Sequence, residues 1–129
     1  MDSTDSPRDS DTSFPATDPT SLDRLKRFGG GKLLNEMIAL YLSAAPERIG
    51  AAKAGLEVHD ANAIEMALHS LKSSSAQLGA MQMQRLSERG ERLAKAATLE
   101  DVAGIVQDIE EEFPRVQTWL ERARNVETP

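Results

Sequence analysis

Residues 60–80, DANAIEMALHSLKSSSAQLGA, carry the clearest helical periodicity in the chain. Asp60 is a residue type that caps helix N-termini, and beyond it inward-facing positions recur every three or four residues. Those positions are Ile64, Leu68, Leu71, Ser75 and Leu78. Gly79 and Ala80 then mark a turn. The stretch therefore predicts an amphipathic helix with one buried face.

His69 lies on the opposite face of that predicted helix. At about 100° per residue, the apolar positions fall roughly 180° to 260° around the axis from it. Ser73, Ala76 and Ala80 share its face, and their small side chains would let another protein approach closely, while Lys72 flanks them. This arrangement disfavours a buried core histidine. An ordinary exposed surface histidine stays open as an alternative.

A following helix is predicted over residues 82–96, antiparallel to the first. Glu91 is as far after Ala80 as His69 is before it, so the two should lie level across the turn. Glu91, or Glu88 one turn nearer the bend, would then accept a hydrogen bond from Nδ1–H and leave Nε2 as the nucleophile. The alternative is that Glu91 pairs with solvent or with an arginine.

The rest of the chain predicts an all-α fold, an antiparallel up-down four-helix bundle with an additional short N-terminal helix. Residues 1–19 are rich in Asp, Ser, Thr and Pro and are expected to be a disordered acidic tail, either a solubilising leader or a phosphorylated arm. The bundle is expected over residues 20–125. Pro46 should open a helix, and Pro114 should kink or break the last one.

Composition excludes several classes of function. The net charge of −6 argues against a nucleic-acid binder, and the lack of cysteine removes thiolate metal sites and cysteine nucleophiles. No run of apolar residues suggests a membrane span or secretory signal, so we expect a cytoplasmic protein that does not bind membranes. The sequence shows no convincing metal site, and a monomer is the expectation.

The stretch HSLKSSSAQLGA, residues 69–80, resembles the signature of histidine-containing phosphotransfer (HPt) domains, which shuttle phosphoryl groups in two-component phosphorelays. The positions that match the motif are His69, Lys72, Gly79 and Ala80. The resemblance spans roughly residues 20–125 and includes a leucine-rich opening helix. One position departs from the family pattern, because Ser73 stands where glycine usually follows the lysine.

The resemblance implies a non-enzymatic phosphohistidine carrier. His69 would accept a phosphoryl group from a receiver-domain aspartyl phosphate, with charge support from Lys72, and pass it to another receiver. The expected partners are response-regulator receiver domains or a hybrid histidine kinase, which would dock on Leu22, Leu25 and Phe28 as well as on the small-residue face. No cofactor is expected in this chain, since the receiver would supply Mg²⁺. The Ser73 hydroxyl would either bind a phosphoryl oxygen or slow transfer by its bulk.

Three other functions are less consistent with the residues. A histidine kinase needs an ATP-binding domain, for which a helical bundle of this length leaves no room. A metal-dependent hydrolase needs converging ligands, but His59 and His69 lie ten residues apart and His59 falls in a predicted loop. The serious alternative is a helical adaptor that binds partner proteins without phosphotransfer.

Overall fold

Four helices make up the part of the chain that the structure describes, residues 15–127 of a computed structural model. They are α1 (Pro19–Glu57), α2 (Ala61–Leu78), α3 (Met81–Lys95) and α4 (Leu99–Glu127). Each helix packs against the next, and α4 returns to pack against α1, which closes a four-helix bundle. The predicted all-α bundle is therefore confirmed. Of the predicted tail, residues 1–14 lie outside the described residues.

The segment just before α1 contacts the turn between α2 and α3. The backbone N–H of Asp18 donates to the carbonyl of Gly79 at 2.8 Å, and the N–H of Gln82 donates to the carbonyl of Ala16 at 3.0 Å. The Asp18 side chain then caps α1 by accepting from the N–H of Thr20 at 3.0 Å. Ala16 and Asp18, which the prediction places in the tail, thus contact the bundle through their backbone.

The predicted short N-terminal helix is present as the first part of α1. Gly30, with φ of 76° and ψ of −179°, leaves the helical conformation and separates this short helix by a kink from the long first helix of the bundle. A positive φ of this size favours glycine, because other residues meet a Cβ clash there. The other two glycines of the triple-glycine stretch remain helical.

The prediction that Pro46 opens a helix is wrong, since Pro46 lies inside α1, and Pro114 lies inside α4 without ending it. A proline removes one backbone hydrogen bond and crowds the preceding turn. In α1 the buried face continues on both sides of Pro46, with Ala45 and Ile49 in the core. Tertiary packing of that face, rather than local propensity, therefore decides that the helix continues.

The predicted inward positions of α2 are buried, and Ser75 among them is fully enclosed. Its hydroxyl lies 2.8 Å from the hydroxyl of Tyr41 and ties α2 to α1. Burial, opposed by this hydrogen bond, raises the pKa of Tyr41 to about 12. The phenol consequently stays neutral and remains available for the hydrogen bond over the physiological pH range.

Helix α3 approaches α2 closely because Gly90 has no side chain. A Cβ at Gly90 would lie 2.6 Å from Cδ1 of Leu68 and 3.2 Å from Cγ2 of Ile105, and both of these side chains are buried. The glycine thus sets the distance between α3 and its neighbours at the level of Glu91.

Replacing this glycine should destabilise the bundle through overpacking. Gly104→Ala is the matched control, because Gly104 is an exposed helical glycine with nothing within 4 Å of its Cβ position. Both variants gain helix propensity, but only Gly90→Ala must displace core side chains. We expect Gly90→Ala to have the lower free energy of unfolding by about 1–3 kcal/mol. Urea unfolding measures the difference, and equal stabilities would contradict the close packing at Gly90.

Candidate functional site

His69 projects from the middle of α2 toward solvent, and its side chain is 58% exposed. Its Nδ1 atom lies 2.8 Å from Oε2 of Glu91 on α3. The turn that sets this register ends α2 at Gly79, whose φ of 85° reverses the chain, and the N–H of Ala80 donates to the carbonyl of Ser75. The two residues therefore lie level across the helix pair, as their equal distance from the turn predicts.

Glu91 is a buried carboxylate that two residues of α2 share. Its side chain is only 7% exposed, and its second oxygen, Oε1, lies 2.8 Å from Nζ of Lys72. Lys95, one turn along α3, adds a weaker contact with Nζ at 4.0 Å from Oε2. The two carboxylate oxygens thus hold the imidazole and the ammonium separately, and each has its own charge-assisted hydrogen bond.

The environment of Glu91 keeps it ionised. Burial raises the pKa of this carboxyl, but hydrogen bonds from Lys72 and His69 and the attraction of their charges outweigh burial and hold the pKa below its ordinary value. An ionised carboxylate accepts hydrogen bonds only, so the Nδ1 atom of His69 must donate. In the neutral imidazole, Nε2 then carries the free lone pair on the side of the ring away from Glu91.

The surface around His69 agrees in part with the predicted face. Ser73 and Ala76 are exposed on α2, as expected. Ala80 is fully buried, so its predicted place on the approach face is wrong. The helical angle does not apply to it, because α2 ends at Leu78 and the left-handed turn at Gly79 directs the following residue into the core.

Two further predicted residues lie elsewhere. Glu88 is half-buried and its carboxylate lies 3.5 Å from Arg92 rather than on the imidazole. Leu22 belongs to the core rather than to a docking surface. The contact of the preceding segment with the α2–α3 turn holds the start of α1 close to the bundle and buries this leucine.

The remaining two residues of the predicted docking surface do reach the exterior. Leu25 is half-buried, and Phe28 is 88% exposed. Together with Ala76 and Gln77 they line a cavity of about 370 Å³ beside α2. This cavity places apolar surface on the same side of α2 as Ala76, two turns from His69.

Two features do not follow from the sequence prediction, a second cavity and the contact of Lys95 with Glu91. The cavity, of about 200 Å³, lies between α1 and α2, and its lining includes the exposed Leu40 and the residue after the histidine, Ser70. Leu40 lies off the buried stripe of α1, which is the signal that would have identified it. Lys95 follows Glu91 by four residues, a spacing at which helical side chains meet.

Within residues 15–127, no three histidine, aspartate or glutamate side chains converge closely enough to bind a metal ion. None of the helices there has the length and apolar character needed to cross a membrane.

Comparisons with known proteins give one family match and two solved structures with a similar fold. A family model described as "Hpt domain" matches residues 36–125. Histidine-containing phosphotransfer protein B (HptB) from Pseudomonas aeruginosa PAO1 is similar in structure, with a TM-score of 0.82 and 22% identity over 86% of this chain and 96% of that one. The HPT domain of a sensor hybrid histidine kinase from Shewanella has a TM-score of 0.73 and 19% identity over 88% and 97%. No curated protein shows a significant sequence match.

The lowered pKa of Glu91 predicts a pH-dependent effect of Glu91→Gln on stability. A carboxyl whose folded pKa is depressed stabilises the fold above its unfolded pKa, and this contribution is lost as pH falls through the folded value. Wild type should therefore exceed Glu91→Gln by about 1–3 kcal/mol at pH 7. The gap should close below the ordinary glutamate pKa of 4.5.

Thermal and urea unfolding at pH 7 and at pH 3.5 measure this gap. Glu88→Gln is the matched control on the same helix, and its effect should stay within about 0.5 kcal/mol at both pH values. A gap for Glu91→Gln that is the same at both pH values would show that the ionised carboxylate does not hold the two α2 side chains.

Proposed function

Because this chain belongs to the Hpt domain family of phosphorelay proteins in two-component signal transduction, we propose that His69 carries the phosphoryl group. The supporting observation is the contact of 2.8 Å between Nδ1 of the exposed imidazole and the buried carboxylate of Glu91. It leaves Nε2 as the nucleophile on the outer side of the ring. The second histidine, His59, lies in the turn between α1 and α2 and has no such partner.

The transfer step needs only one nucleophilic atom from this chain. The lone pair of Nε2 attacks the phosphorus of an aspartyl phosphate, the P–N bond forms, the P–O bond breaks, and the aspartate leaves as a carboxylate. The ring, which retains its Nδ1 proton, becomes positively charged, and the ionised Glu91 stabilises that charge through the existing hydrogen bond. In the onward step a second aspartate attacks, and the imidazole leaves in its neutral form.

Lys72 supports the same step through its charge. Its Nζ lies 2.8 Å from Oε1 of Glu91, so the ammonium is held one helical turn from His69 rather than extended freely into solvent. A fixed positive charge at this distance lowers the energy of the dianionic phosphoryl group, and it needs no reorganisation during transfer.

The proposed partners are the receiver domains of response regulators or of a hybrid histidine kinase. The small side chains of Ser73 and Ala76 would let the receiver approach closely beside the imidazole. Phe28 and Leu25 would extend the contact surface along α1. Mg²⁺ would come with the receiver. The carrier acts as a monomer. It does not itself transfer a phosphoryl group from ATP, so we class it as a carrier and not as an enzyme. We place the exchange in the cytoplasm, where the ATP that supplies the phosphoryl group is found.

Incubation with a phosphorylated receiver domain and Mg²⁺ tests the proposal. The chain should acquire an acid-labile, alkali-stable label, and His69→Gln should abolish it. His59→Asn is the matched control, because asparagine tolerates the positive φ of 57° at that position, and this variant should be labelled like wild type. Label that survives in His69→Gln would place the phosphoryl group elsewhere. If receivers bind but never label the wild-type chain, the protein is a helical adaptor.

The rate of labelling tests the role assigned to Lys72. Lys72→Ala removes the charge held beside the imidazole, and transfer should slow about tenfold, equivalent to about 1.4 kcal/mol in the barrier. Lys95→Ala removes a more exposed lysine with longer contacts, at 3.8 and 4.0 Å, and should change the rate less than twofold by the small energies of exposed ion pairs. Circular dichroism should show unchanged helix content in both. Equal rates for the two variants would contradict a specific role for Lys72.

A further inference from the structure

The hydroxyl of Ser73 stands out among the polar side chains next to His69, because it is exposed and uncommitted. Among residues 15–127 it has no hydrogen-bond partner. The neighbouring Ser74 differs, since its hydroxyl donates to the backbone carbonyls of Ser70 and Leu71 at 3.1 and 3.3 Å. Only one of these two adjacent serines therefore has a donor available for a group placed on the imidazole.

The position of Ser73 brings that hydroxyl toward the imidazole. Residues four apart on a helix have Cβ atoms about 5–6 Å apart, and helical side chains lean toward the N-terminus. The Ser73 side chain thus covers the turn that carries His69. Since Nδ1 of His69 points to α3 and Glu91, the reactive Nε2 lies on the solvent side of the ring. A phosphoryl group on Nε2 would therefore lie over the same turn of α2 that the Ser73 side chain covers.

The ion pair between Lys72 and Glu91 favours Ser73 as the residue that contacts the phosphoryl group directly. The Lys72 ammonium already forms an ion pair with Glu91, whose side chain is 7% exposed. If Lys72 moved to bind a phosphoryl oxygen, it would leave a buried carboxylate with one strong partner fewer, which is unfavourable. The hydroxyl of Ser73 has no such obligation, and turning it toward an anion breaks no bond within the described residues.

We propose that Ser73 donates a hydrogen bond to a phosphoryl oxygen on His69 and so shifts the phosphotransfer equilibrium toward the carrier. This role rests on the proposed function and adds a second residue that contacts the transferred group. No covalent bond to Ser73 forms or breaks. The hydroxyl only reorients, while the charge of Lys72 acts on the phosphoryl group through space.

Four substitutions separate the effect of the Ser73 hydroxyl group from the effect of the size of the side chain. Ser73→Ala removes the hydroxyl and keeps Cβ, Ser73→Gly removes both, and Ser73→Thr keeps the hydroxyl with more bulk. Ser74→Ala removes the neighbouring hydroxyl, which is turned toward the helix backbone. The quantity to measure is the equilibrium ratio of phosphorylated carrier to phosphorylated receiver, together with the lifetime of the isolated phosphohistidine.

If the hydroxyl binds the phosphoryl group, Ser73→Ala and Ser73→Gly should both lower the ratio by roughly two- to tenfold. Ser73→Thr should restore it, and Ser74→Ala should leave it unchanged. The ³¹P chemical shift of the phosphohistidine should differ between the alanine and threonine variants. A merely structural role would not produce this pattern, and circular dichroism verifies that each variant is folded.

Three results would overturn the proposal in different ways. If Ser73→Ala keeps the wild-type ratio while Ser73→Gly transfers faster, the side chain acts by bulk and the hydroxyl has no role. If no variant changes the ratio although wild type is labelled on His69, only the role of Ser73 fails. An unlabelled wild-type chain would refute the proposed function itself, and the role of Ser73 with it.

Discussion

The site depends on the contacts of one buried carboxylate, that of Glu91, with His69 and Lys72. A buried carboxylate without partners is strongly unfavourable, but here one oxygen accepts from Nδ1 of His69 and the other lies on Nζ of Lys72, both at 2.8 Å. One group on α3 thereby fixes two side chains on α2, orients the imidazole and sets its tautomer. In the proposed transfer, a phosphoryl group would meet a nucleophile whose orientation and neighbouring charge are already set.

The close pairing of α2 and α3 makes that interaction available. Gly90, next to Glu91 in sequence, lets α3 approach Leu68, next to His69, and the left-handed turn at Gly79 sets which residues lie level. The same few residues therefore determine both core packing and site geometry. A change in the register of this hairpin would move Glu91 away from His69 and also disrupt the buried stripe of α2.

The sequence predicts on which helix face the site residues lie, and which of them are level across the turn, better than it predicts where the helices begin and end. Helical angle separated exposed His69 from the buried leucines, and distance from the turn placed it level with Glu91. Both rules apply only inside regular helices, which is why Ala80, beyond the end of α2, was assigned to the wrong face. Leu22 and Pro46 were misjudged for a different reason, because tertiary contacts with distant segments decide their environments.

The pairing of Lys72 with Glu91 could not be read from spacing, since a lysine side chain has many rotamers and neighbours on two helices. The sequence placed its charge near the imidazole but not on a particular oxygen. That detail determines what a phosphoryl group would meet. With the ammonium held by Glu91, Lys72 would act on the proposed phosphoryl group through its electric field, and the short side-chain donor of Ser73 would be left for direct contact. Because the hydrogen bond to Glu91 keeps the proton on Nδ1, the imidazole would leave as a neutral group, and in the proposed transfer the same carboxylate would serve both the gain and the loss of the phosphoryl group.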